Sequence, residues 1–307
     1  MHRIVLTGWT ALLLAAVLST AVSAQVDEPG PPRIIHRTNP HDRGVTAPMG
    51  STAPTSPILY HKGGPVISVP AIYLIWYGNW NQSNGSDTPG GQQIVEDFAG
   101  GIGSSPYFSI NTSYPGVSGA VSFAGEATDA YSRGKRLKDA DIQRIVTNAI
   151  SGGALPYDAN GVYFVLSSSD VSELSGFCRT YCGWHTRAST SVGLIRYAFV
   201  GNPNSCLSAC TIQSTGPNGN AAVDGMVSVI AHELEEATTD PDLNAWYDSS
   251  GAENADKCSW NFGHFQYTTT NGAWANVSLN GRNFMIQRNL YHNLNGGDYC
   301  MMDATHN

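Results

Sequence analysis

The sequence predicts a mixed α/β (α+β) fold in a single, disulfide-containing secreted domain. Three observations predict it. Continuous β-branched and aromatic runs of strand length alternate with apolar residues at helical spacing. Six cysteines follow an N-terminal stretch built like a secretory signal. The last third of the chain is rich in turn signals and short β-type segments.

Residues 1–24 start with charge, continue through the apolar run Ala11–Leu18 and end on Ala21-Val-Ser-Ala24, the small residues a signal peptidase requires. The run is too short for a full membrane span and no second one follows, so no stable membrane anchor is expected. Residues 25–56 are rich in proline, glycine, serine and threonine and read as a flexible leader. The globular domain is expected over 57–307. Its location is extracellular, or periplasmic in a Gram-negative cell.

Within the domain, Ala71-Ile-Tyr-Leu-Ile-Trp-Tyr77 reads as a buried strand. Gly, Asn and Ser over 78–91 make a loop, and Gln92–Ala99 a helix broken by glycines. Val121–Ala124 is a short strand. Asp139 or Asp141 caps a helix whose apolar face is Ile142, Ile145, Val146, Ala149 and Ile150. Gly161–Leu166 and Val192–Val200 are two more strands. Asp224 caps a helix with Met226, Val227, Val229, Ile230 and Leu234 on its buried side, and Pro241 stops it. Trp274–Leu279 and Phe284-Met-Ile-Gln287 are β segments. Cys178, Cys182, Cys206, Cys210, Cys258 and Cys300 read as three disulfides of open connectivity.

The helix before Pro241 carries the chemistry. His232 and Glu236 stand four apart and share one face, while Glu233 points about 100° away. The arrangement resembles the zinc-protease pattern H-E-x-x-H, with a glutamate in place of the second histidine. Carboxylate is an acceptable zinc ligand, and a zincin-like arrangement around His232 is the expectation. Glu253 and Asp240 are the favoured third ligands, ahead of Asp242 and Asp256. Glu233 would take the proton of a water activated by the ion. Zinc is the expected metal, with calcium or manganese the alternative where oxygen ligands dominate. His185 and His61 are further histidines whose spacing ties them to no site. Asn81, Asn84, Asn111 and Asn276 head glycosylation sequons.

Charge supports a cation site. The chain has net charge −8 from 24 acidic and 16 basic residues. Glu233, Glu235, Glu236, Asp240, Asp242, Asp248, Glu253 and Asp256 fall in one stretch without lysine or arginine, and the rest of the chain is balanced. There is no basic patch of the kind that binds nucleic acid.

Several segments resemble the EXORDIUM, or phosphate-induced protein 1, family of secreted proteins. They are Tyr60-His-Lys-Gly-Gly-Pro-Val66, Tyr73-Leu-Ile-Trp-Tyr-Gly78, Gly176-Phe-Cys-Arg-Thr-Tyr-Cys-Gly183, Tyr197-Ala-Phe-Val-Gly-Asn202 and Val223-Asp-Gly-Met226. The resemblance implies an apoplastic or cell-wall setting without an assigned reaction. Plant members are similar around Glu236-Ala-Thr-Thr-Asp-Pro241 but lack the His-Glu pair, so this chain resembles a microbial-type member with an intact metal site. Two functions are expected as alternatives: a secreted metal-dependent hydrolase of zincin-like peptidase type, or a non-catalytic protein with a structural cation. The partner is an extracellular peptide in the first case and a wall or matrix polymer in the second.

Overall fold

The computed structural model describes residues 33–36, 56–61, 63–295 and 297–302. The signal segment lies outside the described residues, as does the leader apart from Arg33–His36 and Ser56. A six-stranded sheet organises the fold. Its strands are β1 (Arg33–His36), β2 (Ala71–Tyr77), β3 (Ser122–Asp129), β4 (Gly161–Ser167), β5 (Tyr181–Thr190) and β6 (Gly193–Gly201), in the spatial order β1-β5-β6-β4-β2-β3. Strands β6, β4, β2 and β3 run parallel. Strand β5 returns antiparallel beside β6, and β1 pairs antiparallel with β5. The sheet is therefore mixed in strand direction, within the mixed α/β fold that the alternating pattern predicts.

Helices cover both faces, so the central strands are buried throughout and read as continuous apolar runs. Helix α1 (Pro89–Gly101) and the long helix α3 (Ala221–Thr239) pack on one face. There Phe98, Met226, Val227, Ile230 and Leu234 meet Leu74, Trp76, Phe164 and Val200. Helix α2 (Asp139–Ser151) covers the other, setting Ile142, Ile145 and Val146 against Tyr73, Ile75, Val165 and Phe199. A third, smaller core joins Tyr114, Trp246, Leu290, Cys258 and Cys300 beneath the C-terminal β segments.

The structure refines several expected boundaries. Helix α1 begins earlier than expected, at Pro89, because Thr88 accepts a hydrogen bond from Gly91 N–H and proline suits the first turn. Asn220, not Asp224, caps α3, accepting from Val223 N–H at 3.3 Å. Asp224 sits in the first turn and accepts instead from Asn218. Helix α3 ends at Thr239, two residues before Pro241, as predicted. Strand β3 extends well past Ala124, with the alternating exposure of an edge strand.

The cysteines pair as Cys178–Cys206, Cys182–Cys210 and Cys258–Cys300. The two C-x-x-x-C units thus bond to each other in parallel and tie the start of β5 to the segment before α3. Among the described residues no helix is long and apolar enough to cross a membrane.

Candidate metal centre

Helix α3 is buried on all sides, because the sheet, α1 and the C-terminal segments enclose it. Its acids therefore cannot turn to water. Glu233, Glu235 and Glu236 are all inaccessible, and each meets a different environment.

Glu236 is the hub. Its Oε1 lies 3.0 Å from His232 Nε2, one helical turn back, and accepts the Asp256 backbone N–H at 3.0 Å. Its Oε2 lies 3.4 Å from His185 Nδ1. His185 comes from β5, where it pairs with Ala198 of β6 on the sheet face beneath α3. Asp256 comes from the loop after the helix and places Oδ1 3.6 Å from His232 Nε2. Two groups of potential ligands result: His232, Glu236 and Asp256, and His185, Glu233 and Glu236.

The separations decide between hydrogen bonding and metal binding. Donor atoms around a tetrahedral zinc stand about 3.3–3.7 Å apart at ordinary bond lengths. The contacts at 3.4, 3.4 and 3.6 Å fall in that range and are long for charge-assisted hydrogen bonds, whereas His232 and Glu236, at 3.0 Å, stand closer than two zinc ligands do. Neither nitrogen of His232 has a hydrogen-bond partner, nor do Glu233 Oε1, Glu236 Oε2 and Asp240 Oδ2, although all are buried. Buried groups of this kind are normally satisfied. The two groups offer imidazole nitrogen and carboxylate oxygen, donors that fit a metal, although His232 Nδ1 and Asp240 Oδ2 lie outside what one ion could reach.

Electrostatics points the same way. Burial pushes Glu233 up to about 7, helped by Glu236 and opposed by His185 and His232. Burial also acts to raise Glu236, but His232 and His185 outweigh it and hold that carboxyl at about 2. Burial opposes charge on both imidazoles, yet the surrounding carboxylates raise them well above the usual histidine range. Glu253 is pushed well up by burial, with Glu236, Asp240 and Asp256 adding repulsion.

The expected site residues are placed as follows. His232 and Glu236 share one face, as their spacing predicts. Asp256 stands at the third corner of the His232 group, where Glu253 and Asp240 were favoured. Glu253 stands on the far side of His185, with Oε1 3.7 Å from Nε2. Asp240 terminates α3, its Oδ1 accepting from Asn244 and Ala245 N–H at 2.6 Å each. Glu233 faces His185 through Oε2 at 3.4 Å. Asp242 is elsewhere, paired with Arg196 at 2.8 Å. His61 stacks on Tyr247.

His185 is the residue the spacing left unassigned. Its signal was the Tyr-Cys-Gly-Trp-His-Thr stretch, which is strand-like once its disulfide is set aside. Asn111, which heads one sequon, is buried, and its amide donates to Glu235.

Comparison with known proteins agrees with the segment resemblance. The model of the phosphate-induced protein 1 conserved region matches residues 58–291. Protein EXORDIUM-like 5 of Arabidopsis thaliana is 36% identical over 221 residues, 61% of this chain and 59% of that protein. The match thus spans less than two thirds of that relative. Protein EXORDIUM-like 3 of the same plant is 30% identical over 262 residues, 72% of this chain and 73% of that protein. Protein PHOSPHATE-INDUCED 1 of Nicotiana tabacum is 25% identical over 279 residues, covering 74% and 83%. No solved structure matches the chain. A family match over most of the chain, residues 58–291, shows that this protein belongs to the EXORDIUM, or phosphate-induced protein 1, family.

Proposed function

We propose that the chain is a secreted metal-dependent hydrolase, a zincin-like peptidase acting on extracellular peptides. One observation carries this reading. His232 and Glu236, buried on consecutive turns of α3, cluster with Asp256 closely enough to share one ion, and the ring nitrogens of His232 have no hydrogen-bond partner. His232, Glu236 and Asp256 hold the ion. One nitrogen and two oxygen donors suit zinc and also suit manganese, with calcium the poorer match. Bound there, the ion supplies Lewis acidity and lowers the pKa of a water. Glu233 is the carboxylate left to accept the proton. Its charge is close enough to His232 and Glu236 to feel both.

Burial favours a second reading. His232 and Glu236 are essentially inaccessible, and the Asp256 side chain, 20% exposed, is the open corner. A closed site of this kind suits a structural cation in a non-catalytic protein that binds wall or matrix polymer.

Metal analysis and a peptide-library assay separate the readings. The hydrolase predicts transition metal retained through dialysis and absent from Glu236→Ala. It also predicts peptide cleavage that falls about 10²–10⁴-fold in Glu233→Gln, the range for loss of a general base. Retained metal with no cleavage of any peptide supports the structural cation. No retained transition metal in the wild type overturns the hydrolase.

A further inference from the structure

Glu236 turns a different oxygen to each histidine. Oε1 faces His232 Nε2 at 3.0 Å and Oε2 faces His185 Nδ1 at 3.4 Å. Asp256 clusters with Glu236 and His232, and Glu233 clusters with Glu236 and His185. The centre therefore offers two sets of three ligands joined by one carboxylate. That is how paired ions about 3.5–4 Å apart are held in two-metal hydrolytic sites.

Ion pairing alone does not account for the His185 side. Its Nδ1 carries at most one proton, yet two carboxylate oxygens lie 3.4 Å from it. Neither distance is that of a short charge-assisted bond. The side chains of His185, Glu233 and Glu236 are 0–1% exposed, so the set is closed to bulk solvent. Glu236 Oε2 and Glu233 Oε1 have no hydrogen-bond partner. Glu253, on the Nε2 side of the ring, stands where an outer carboxylate orients a ligating imidazole.

We propose that the centre binds two divalent transition-metal ions bridged by Glu236, the second held by His185, Glu233 and Glu236. The proposal rests on the metal-binding reading of His232 and Glu236 given above. It changes one role: Glu233 Oε2 becomes a ligand, and Oε1 is the oxygen left to accept a proton.

The test is metal stoichiometry. Chelator-treated protein is titrated with zinc and, separately, with manganese, and retained metal is counted after dialysis. The expected result is two ions per chain in the wild type, one in His185→Ala, one in His232→Ala and none in Glu236→Ala. Circular dichroism checks that each variant is folded. Electron paramagnetic resonance of the manganese-loaded wild type needs no variant. Two ions sharing a carboxylate give the signature of an exchange-coupled pair, and separate ions give the pattern of isolated manganese. One ion per chain, kept in His185→Ala and lost in His232→Ala, overturns the second site and leaves the hydrolase reading standing. No ion in the wild type overturns both.

Discussion

At the scale of the residue, three glutamates within four positions of one helix meet three fates. Glu233 faces an imidazole and Glu236 faces two. Glu235 faces amides: its Oε2 accepts from Asn111 Nδ2 and, at 2.8 Å, from Asn289 Nδ2. Burial holds its carboxyl well above the usual carboxylate range and so favours the neutral form in the folded protein. A neutral carboxyl and a carboxamide have nearly the same shape and keep one acceptor for both asparagines. Glu235→Gln should therefore change stability by less than about 1 kcal/mol. Glu235→Ala strands two buried donors, at about 1–3 kcal/mol each. Urea unfolding of the two variants checks this, and equal losses would refute the neutral assignment. Helical spacing placed His232 and Glu236 together because one turn fixes their relation. It said nothing of Asp256 or His185, since a loop and a strand bring those residues in from outside the helix.

At the scale of the element, the centre depends on how closely α3 approaches β5. Gly183 makes that approach possible. A Cβ at this position would lie 2.5 Å from Val229 Cγ1, 3.0 Å from Phe199 O and 3.2 Å from Glu233 Oε1. Gly183→Ala should push the helix outward and cost about 1–3 kcal/mol, as overpacking does. It should also weaken metal retention at the His185 side, because Gly183 lies two residues from His185 along the strand. Thermal melting and metal counting read the two effects, and a variant with normal stability and full metal content would show the contact to be soft. The elements themselves were largely legible. Strands β2 and β4 are unbroken apolar runs, β6 is one interrupted by Arg196, and α2 and α3 carry clear helical spacing. Strand β5 was hidden: its two-sided burial leaves no alternation, and Cys178 and Cys182 suggested a loop. Strand β1 was hidden by the proline-rich composition around it.

At the scale of the whole molecule, the ligands are spread over a strand, a helix and a loop, and the disulfides hold the outer two. Cys182–Cys210 and Cys178–Cys206 fix the start of β5. Cys258–Cys300 anchors the turn Asp256–Cys258, and so Asp256, to the C-terminal β segments. That link spans 42 residues, and loop-closure entropy for such a loop is worth about 4 kcal/mol. Replacing both cysteines by serine should lower stability by an amount of that order. The position of the disulfide adds a second expectation. Asp256 is two residues from Cys258, and its backbone N–H also donates to Glu236 Oε1. Loosening the turn therefore removes a carboxylate from the His232 group and a donor that orients the hub, so metal affinity should fall along with stability. The paired replacement Cys178→Ser with Cys206→Ser is the control. Its loop is of similar size, 28 residues, so its stability loss is comparable. Cys182–Cys210 still holds β5 and His185, and metal affinity should stay near that of the wild type. Calorimetry with zinc on both pairs of variants separates the two effects. Equal affinity losses would mean that general destabilisation governs the centre. A loss confined to the Cys258–Cys300 pair would show that the C-terminal β segments exist in part to hold Asp256 at the metal.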